Sequence, residues 1–171
     1  MHMPGSEYLL ALAAIAMAFV AVSVIVLVLR QIAGGALTAF HTLLVRYTVE
    51  CGLITTIFAL APVLLALTDL SHALVFRVSS GVLAAVYLVY AVNYVRRRRR
   101  VMPGPVPPRF FIIGILSILM DIVLWLDAGG IFFGGAVWPY ALAVTWILVQ
   151  SGIVFLLTFD IFLQQPPSNA A

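Results

Sequence analysis

The sequence predicts an all-α integral membrane protein, a polytopic helical bundle with five transmembrane helices. Hydrophobic residues make up 64% of the chain and charged residues only 9%, with a mean hydropathy of +1.19. The apolar residues fall into five runs, and about 20 residues at 1.5 Å each cross a hydrocarbon core of roughly 30 Å. Each run is therefore long enough to be one span.

The first span has no basic segment before it and no cleavage site after it, so we expect it to be retained rather than removed as a signal peptide. A short turn at 69–71 joins spans two and three in an antiparallel hairpin. Pro62 is expected to kink span two, and Pro139 to lie at the start of span five. The sequence MPGPVPP breaks the helix after span three. The predicted single domain, 1–171, has spans at 8–29, 48–68, 72–95, 110–126 and 137–163, a cytoplasmic basic loop at 96–109 and a disordered tail at 164–171.

Two connecting segments are expected to have structure of their own. Leu37, Phe40, Leu44 and Tyr47 recur at helical spacing. Residues 36–47 are therefore either a helix that lies in the membrane interface or a cytoplasmic extension of span two. Between spans four and five, glycines surround an Ile-Phe-Phe sequence, which we expect to dip into the interface.

The arginines predict the orientation of the bundle. The nine basic residues are all arginine, and five are consecutive. Basic segments beside apolar spans resist translocation and mark the cytoplasmic side. With the N-terminus outside and the C-terminus inside, the outer turns contain Asp69 and Asp127 and no arginine. The cytoplasmic side then receives Arg30, Arg46, Arg109 and the run. The predicted location is the inner (plasma) membrane.

The basic run predicts contact with anionic lipid rather than nucleic acid, because the chain has too little soluble sequence to build a nucleic-acid-binding face. The residues assigned to lipid head groups are Arg96, Arg97, Arg98, Arg99 and Arg100. Trp138 and Tyr140 are the expected interfacial anchors. A single cysteine, Cys51, excludes an intramolecular disulfide, and the sequence predicts neither a cofactor nor a metal site.

Four ionisable residues lie inside the predicted spans at two matched depths, and a charge in hydrocarbon requires a partner or water. With His72 and Asp127 as outer boundaries, Arg77 lies about 8 Å deep and Asp121 about 9 Å deep. This match predicts an ion pair between spans three and four. Such a pair either orients the two helices or acts as an outer gate or charge relay.

On the cytoplasmic side, Glu50 and Asp160 both lie about 6 Å inside the boundary. If the two carboxylates are close, they repel each other when ionised and form an acceptor for a proton or a cation. If they are apart, Glu50 pairs with Arg46 one helical turn earlier, and Asp160 stays hydrated or faces Arg109.

Small and hydroxyl-bearing residues between the two charged layers predict a polar seam through the bundle. The same residue types also allow membrane helices to pack closely, so a seam and simple packing both remain open. The seam candidates are Thr55, Ser80, Ser117 and Gln150. A stripe of alanines on span one indicates packing or a subunit contact; its members are Ala11, Ala14, Ala18 and Ala21.

Two functions follow from these patterns. The first is a small channel or transporter for protons or small ions, formed by several subunits because five helices enclose little volume. Arg77 and Asp121 would then form its outer gate, and Glu50 and Asp160 its inner acceptors. The second is a non-catalytic accessory, sensor or assembly subunit that docks on a larger membrane complex. An enzyme is not favoured, because the sequence offers no set of nucleophile, base and orienting residue.

Overall fold

The computed structural model is a bundle of five long helices. It describes residues 3, 5–32, 39–68, 70–101, 108–131 and 133–164, without the side chains of 30, 40, 41, 108–110 and 157–164. Within these residues the helices are α1 (Ser6–Ile32), α2 (Ala39–Leu65), α3 (His72–Val101), α4 (Pro108–Ala128) and α5 (Val137–Gln164). All five are long and apolar enough to cross a bilayer, which confirms the predicted number of long apolar helices.

Two helices extend by more than one turn beyond their predicted spans at the end that carries the arginines. α2 begins at Ala39, so residues 39–47 extend span two as a continuous helix; residues 36–38 lie outside the described part of the chain. α3 continues through the arginine run to Val101, so the predicted basic loop is wrong for 96–101. Arginine is a good helix former, so the helix can continue through the run. Hydropathy indicates which residues suit the apolar zone, and it does not indicate where a helix ends.

The helices alternate in direction around α5. Phe76 packs against Tyr140 and Tyr87 bonds to Gln150, so residue numbers rise together and α3 runs parallel to α5. The connections between consecutive helices give α2 and α4 the opposite direction. Among the described residues α5 contacts each of the other four helices, whereas α1 and α4 each contact only two. The core therefore lies around α5.

This alternation gives the bundle two distinct ends. The end that we call the arginine end contains the beginnings of α2 and α4 and the C-terminal ends of α1, α3 and α5. The opposite end, the loop end, contains the segment that joins α4 to α5. In that segment Gly135 adopts a φ of +82°, and its backbone lies so close to Ala73 that a side chain there would collide with the Ala73 carbonyl. The segment therefore packs onto the beginning of α3.

Pro62 lies inside α2 and has no N–H, so the carbonyl of Phe58 receives no hydrogen bond from that position. The hydroxyl of Tyr140 on α5 donates to this carbonyl instead. An unpaired carbonyl is costly in hydrocarbon, and neighbouring helices commonly supply the missing partner. Tyr140 is fully buried, so its predicted role as an interfacial anchor is wrong. Trp138 is half exposed and packs edge-on against Phe133, with ring centroids 4.8 Å apart.

The alanine stripe of α1 faces away from the bundle. All four of its residues, Ala11, Ala14, Ala18 and Ala21, are exposed. The opposite face of α1 packs on α2 at Gly52, where a Cβ atom would collide with the side chain of Val20. Packing within the chain therefore uses a different face of α1 from the one that the stripe marks.

Candidate functional site

The centre of the bundle contains a hydrogen-bonded cluster that joins α3, α4 and α5. Gln150 is 1% exposed, and its Oε1 accepts from the hydroxyls of Tyr87 (3.0 Å) and Ser117 (2.8 Å). Its Nε2 donates to the Tyr87 hydroxyl at 2.6 Å, and the indole of Trp146 donates to Ser117 Oγ at 3.2 Å. We call these four residues the central cluster. It provides partners for amide and hydroxyl groups that have no water in a bilayer interior.

A buried carboxylate lies nearer the loop end. Asp127 is 0% exposed, and its Oδ2 accepts from the hydroxyl of Ser80 at 2.7 Å. Its Oδ1 is buried and has no hydrogen-bond partner within the described residues. Asp127, treated above as the outer boundary of its span, is therefore part of the interior. A carboxylate with an unpaired oxygen in this environment is costly, which makes it a candidate for function.

Arg77 lies one helical turn from Ser80, under the segment that follows α4. Gly130 adopts a φ of +67°, and a Cβ atom there would be 2.8 Å from the Arg77 guanidinium carbon. Only glycine allows this approach without strain. Arg77 Nε is buried and has no acceptor in the part of the chain that the structure describes. The guanidinium therefore lies against the loop at Gly130, and no carboxylate of the described residues lies within ion-pair distance of it.

The predicted Arg77–Asp121 ion pair is not formed, although both side chains are described. The contacts of Arg77 with Gly130 and of Ser80 with Asp127 set the register of α3 against α4. Asp121 precedes Asp127, the partner of Ser80, by six residues of α4, which is about 9 Å at 1.5 Å per residue. Arg77 is therefore opposite the loop, and Asp121 lies two turns deeper, one turn from Ser117 of the central cluster. Asp121 Oδ1 is buried without a hydrogen-bond partner among the described residues.

At the arginine end, Glu50 bridges two helices. Its Oε1 accepts from Arg46 Nε at 2.6 Å, which confirms the local pairing predicted from their spacing. Arg97 Nη1 also contacts both oxygens of Glu50, at 3.1 and 3.2 Å. One arginine of the run is thus tied to α2. The side chain of Asp160 lies outside the described residues, so its proximity to Glu50 stays a prediction.

The predicted seam is divided in the structure. Ser117 and Gln150 meet in the central cluster, while Ser80 bonds to Asp127. Thr55 instead donates to the Cys51 carbonyl of its own helix at 2.9 Å. Hydroxyls that bond to the preceding turn are satisfied locally and need no path. The interhelical hydrogen bonds of the four seam candidates therefore lie between α3, α4 and α5.

Three residues of these contacts were not among the predicted site residues: Tyr87, Trp146 and Asp127. Tyr87 follows Ser80 by seven residues and so lies near the same face of α3, which is the signal that could have identified it. For Trp146 the signal is its indole N–H, which needs a hydrogen-bond partner when it is buried.

Aromatic side chains fill the space between the central cluster and Glu50. The ring of Tyr47 packs against those of Tyr90 and Tyr94, with centroids 6.0 and 4.6 Å apart. The buried Cys51 thiol lies 3.7 Å from the Tyr90 hydroxyl. These hydroxyls extend the row of polar groups on α3 toward Arg97.

Within the described residues, no group of three or more His, Cys, Asp and Glu is arranged to hold a metal ion. Comparison of the chain with protein-family models, curated proteins and solved structures gives no significant match. The five helices have the length and apolar composition of membrane-spanning helices. A function for the protein must be inferred from its polar contacts.

Proposed function

We propose that this protein conducts protons or small ions across the inner (plasma) membrane, along the polar contacts between α3, α4 and α5. The observation that supports this proposal most directly is the burial of one oxygen of the Asp121 carboxyl group, Oδ1, without a hydrogen-bond partner in the described structure. Asp121 lies about 10 Å from the end of α4. An ionisable group at such a depth usually indicates a pathway.

Asp121 lies between two hydrogen-bonded groups of residues. Toward the loop end is the Asp127–Ser80 contact, and toward the middle is the central cluster around Gln150. Ser80 and Tyr87 are about 10 Å apart along α3, too far for direct transfer, and Asp121 lies opposite that interval. A carboxyl that exchanges its proton with either side, directly or through one water, would connect the two groups.

Protons fit this site better than metal cations. The oxygens of the central cluster are already engaged in hydrogen bonds, so they do not form a ring of free ligands for a cation. Hydroxyl and carboxyl groups can pass a proton along such bonds. In this proposal Arg77 restricts ion entry at the loop end. Glu50, which is paired with Arg46 and Arg97, blocks the path at the arginine end. Asp160 stays a candidate proton acceptor at that end.

The orientation that we propose places the arginine end in the cytoplasm and the N-terminus outside, because arginines next to spans resist translocation. The contact of Arg97 with Glu50 supports a common location for the basic ends of α2 and α3. Single cysteines introduced at Ser6 and at Ser168 in a Cys51→Ala background would test this orientation. An impermeant maleimide applied to intact cells should label only the first position. Labelling of only the second position would reverse the orientation.

Flux across proteoliposomes tests the function. Wild-type protein should collapse an imposed pH gradient, and Asp121→Asn should slow that flux at least tenfold, because an amide cannot release a proton; a tenfold loss corresponds to about 1.4 kcal/mol. Glu7→Gln is the matched control, since it neutralises an exposed carboxylate at the beginning of α1. Equal flux in wild type and Asp121→Asn would refute the proposed path.

A second candidate function is a non-catalytic subunit that docks on a membrane partner or on copies of itself. The exposed alanine stripe of α1 favours it, because small residues permit close approach of another helix. Absence of flux of protons, monovalent cations and anions through wild-type protein, together with an oligomeric mass changed by Ala18→Leu, would favour this function over conduction.

A further inference from the structure

The contacts of Glu50 distinguish one arginine pair from the rest of the basic surface. Five consecutive arginines at 100° per residue project all around the end of α3, and Arg97 is the one that reaches Glu50 of α2. Arg46 reaches the same carboxylate from one turn before it on α2. Two guanidiniums from different helices are thus held by a single carboxylate, and we call this group the arginine fork.

The arginine fork keeps a net positive charge and unused donors. One carboxylate balances only one of the two guanidiniums. Arg46 uses Nε and Arg97 uses Nη1, and the other N–H groups have no protein acceptor within the described residues. The Arg46 and Arg97 side chains are 58% and 41% exposed, against 27% for Glu50. The free donors therefore face outward, beyond the carboxylate that holds them.

The position of the fork matches the head-group region of a bilayer. It lies where α2 and α3 leave the apolar zone, with four residues of α3 beyond Arg97. Exposed aliphatic side chains lie on the membrane side of it, including Leu53 on α2 and Val92 on α3. A ligand with an anionic group next to acyl chains would meet guanidinium donors and apolar surface together. Basic sites between transmembrane helices recognise lipids in this way.

We propose that Arg46, Glu50 and Arg97 form a binding site for the phosphate of an anionic phospholipid between α2 and α3. Guanidinium recognises phosphate through paired N–H donors. Glu50 fixes both guanidiniums before the lipid arrives, which lowers the ordering cost of binding. The site shares Glu50 with the proposed conduction path but does not include Asp121 or the central cluster. Lipid binding and Asp121-dependent flux are measured separately, so either proposal can fail without the other.

Glu50→Gln gives the decisive test, because two explanations predict opposite signs. If the positive surface alone attracts lipid, removal of a negative charge tightens binding. If the fork must be held in place, the amide loosens it, since an amide has one acceptor oxygen and turns N–H groups toward the second guanidinium. We expect full-length protein in zwitterionic nanodiscs to bind phosphatidylglycerol about tenfold more weakly after Glu50→Gln, measured by native mass spectrometry. Tighter binding would overturn the proposal.

A pair of charge-matched variants provides the control. Arg97→Gln and Arg99→Gln remove the same charge two residues apart on α3. We expect about a tenfold loss of phosphatidylglycerol affinity for the first and less than a twofold loss for the second. Equal losses would show that the positive surface attracts anionic lipid without a specific site, and they would overturn the proposal. If Arg97→Gln does not fold, judged by circular dichroism, Arg46→Gln takes its place with the same expected loss.

The lipid probes separate a head group from a free anion. Phosphatidylcholine should bind the wild type at least tenfold more weakly than phosphatidylglycerol, because its ammonium group offsets the phosphate charge. Inorganic phosphate at the same concentration should not displace phosphatidylglycerol, because it lacks acyl chains. Displacement by inorganic phosphate would assign the fork to a soluble anion and overturn the lipid assignment.

Discussion

Tyr140→Phe removes a single hydroxyl whose partner carbonyl is unpaired inside its own helix. Pro62 deprives the Phe58 carbonyl of a backbone donor, and Tyr140 supplies the replacement from α5. The phenylalanine ring would keep the packing against Phe76, where the ring centroids are 5.9 Å apart. The change in stability therefore reports the hydrogen bond rather than a cavity.

The expected loss follows from the burial of both partners. A hydrogen bond contributes about 1 kcal/mol net, and a buried acceptor left without a donor costs about 1–3 kcal/mol. Tyr140 is 0% exposed and Phe58 8%, so water cannot replace the hydroxyl. Bonds within membranes average nearer 0.6 kcal/mol in mutational cycles, so we expect Tyr140→Phe to cost about 1–2 kcal/mol.

A double-mutant cycle with Pro62→Ala tests the mechanism. Alanine restores an N–H at position 62, so the Phe58 carbonyl gains a backbone donor and depends less on Tyr140. Unfolding in mixed micelles, followed by circular dichroism as sodium dodecyl sulfate is added, should show Tyr140→Phe to cost about 1 kcal/mol less in the Pro62→Ala background. Tyr94→Phe is the control, because no hydrogen bond of its hydroxyl is described.

The cycle would refute this reasoning if Tyr140→Phe cost the same in both backgrounds. The hydroxyl would then contribute something other than a replacement for the missing proline donor. A cost no greater than that of Tyr94→Phe would also contradict it, since the loss would then come from the tyrosine ring environment in general.

Two glycine substitutions test close contacts elsewhere in the bundle. Gly130→Ala places a methyl group against the Arg77 guanidinium at a positive φ, whereas Gly134→Ala meets a positive φ of +61° but open space. Both should lose about 1 kcal/mol through backbone strain, with about 1 kcal/mol more for Gly130→Ala in the same micelle titration, and equal losses would contradict the Arg77 contact. Gly52→Ala should cost about 1–3 kcal/mol because its methyl group meets the Val20 side chain, and Val20→Ala should recover part of that loss. An unchanged penalty in the double variant would show that this contact does not limit the packing of α1 on α2.

Hydropathy was sufficient to predict five long apolar helices but not their full lengths. The apolar runs end where α2 and α3 reach polar residues, and both helices continue beyond that point. The i to i+4 backbone hydrogen bonds that hold Arg96–Arg100 in α3 do not depend on whether the side chains enter lipid. A fall in hydropathy therefore marks where a helix leaves the apolar zone, but not where the helix ends.

Pairings between helices were predicted less well than pairings within one helix. Arg46 and Glu50 were predicted to pair because their spacing alone places them on one face. The Arg77–Asp121 prediction required a register between α3 and α4, and it used Asp127 as a boundary that the structure buries. The depth of each residue was counted from an assumed end of its span. An error in the position of that end therefore shifts the depth of every residue in the span.

The central position of α5 has a consequence for the order in which the chain assembles. Four helices are translated before α5, and each of them contacts it. Until α5 arrives, the Phe58 carbonyl and the Tyr87 hydroxyl lack their α5 partners. Helices that are inserted but not yet assembled would expose these groups to lipid. The packing of α5 against the other helices is therefore the step that completes the bundle. Defects in α5 should therefore lower the amount of protein that survives quality control more than equivalent defects in the peripheral α1.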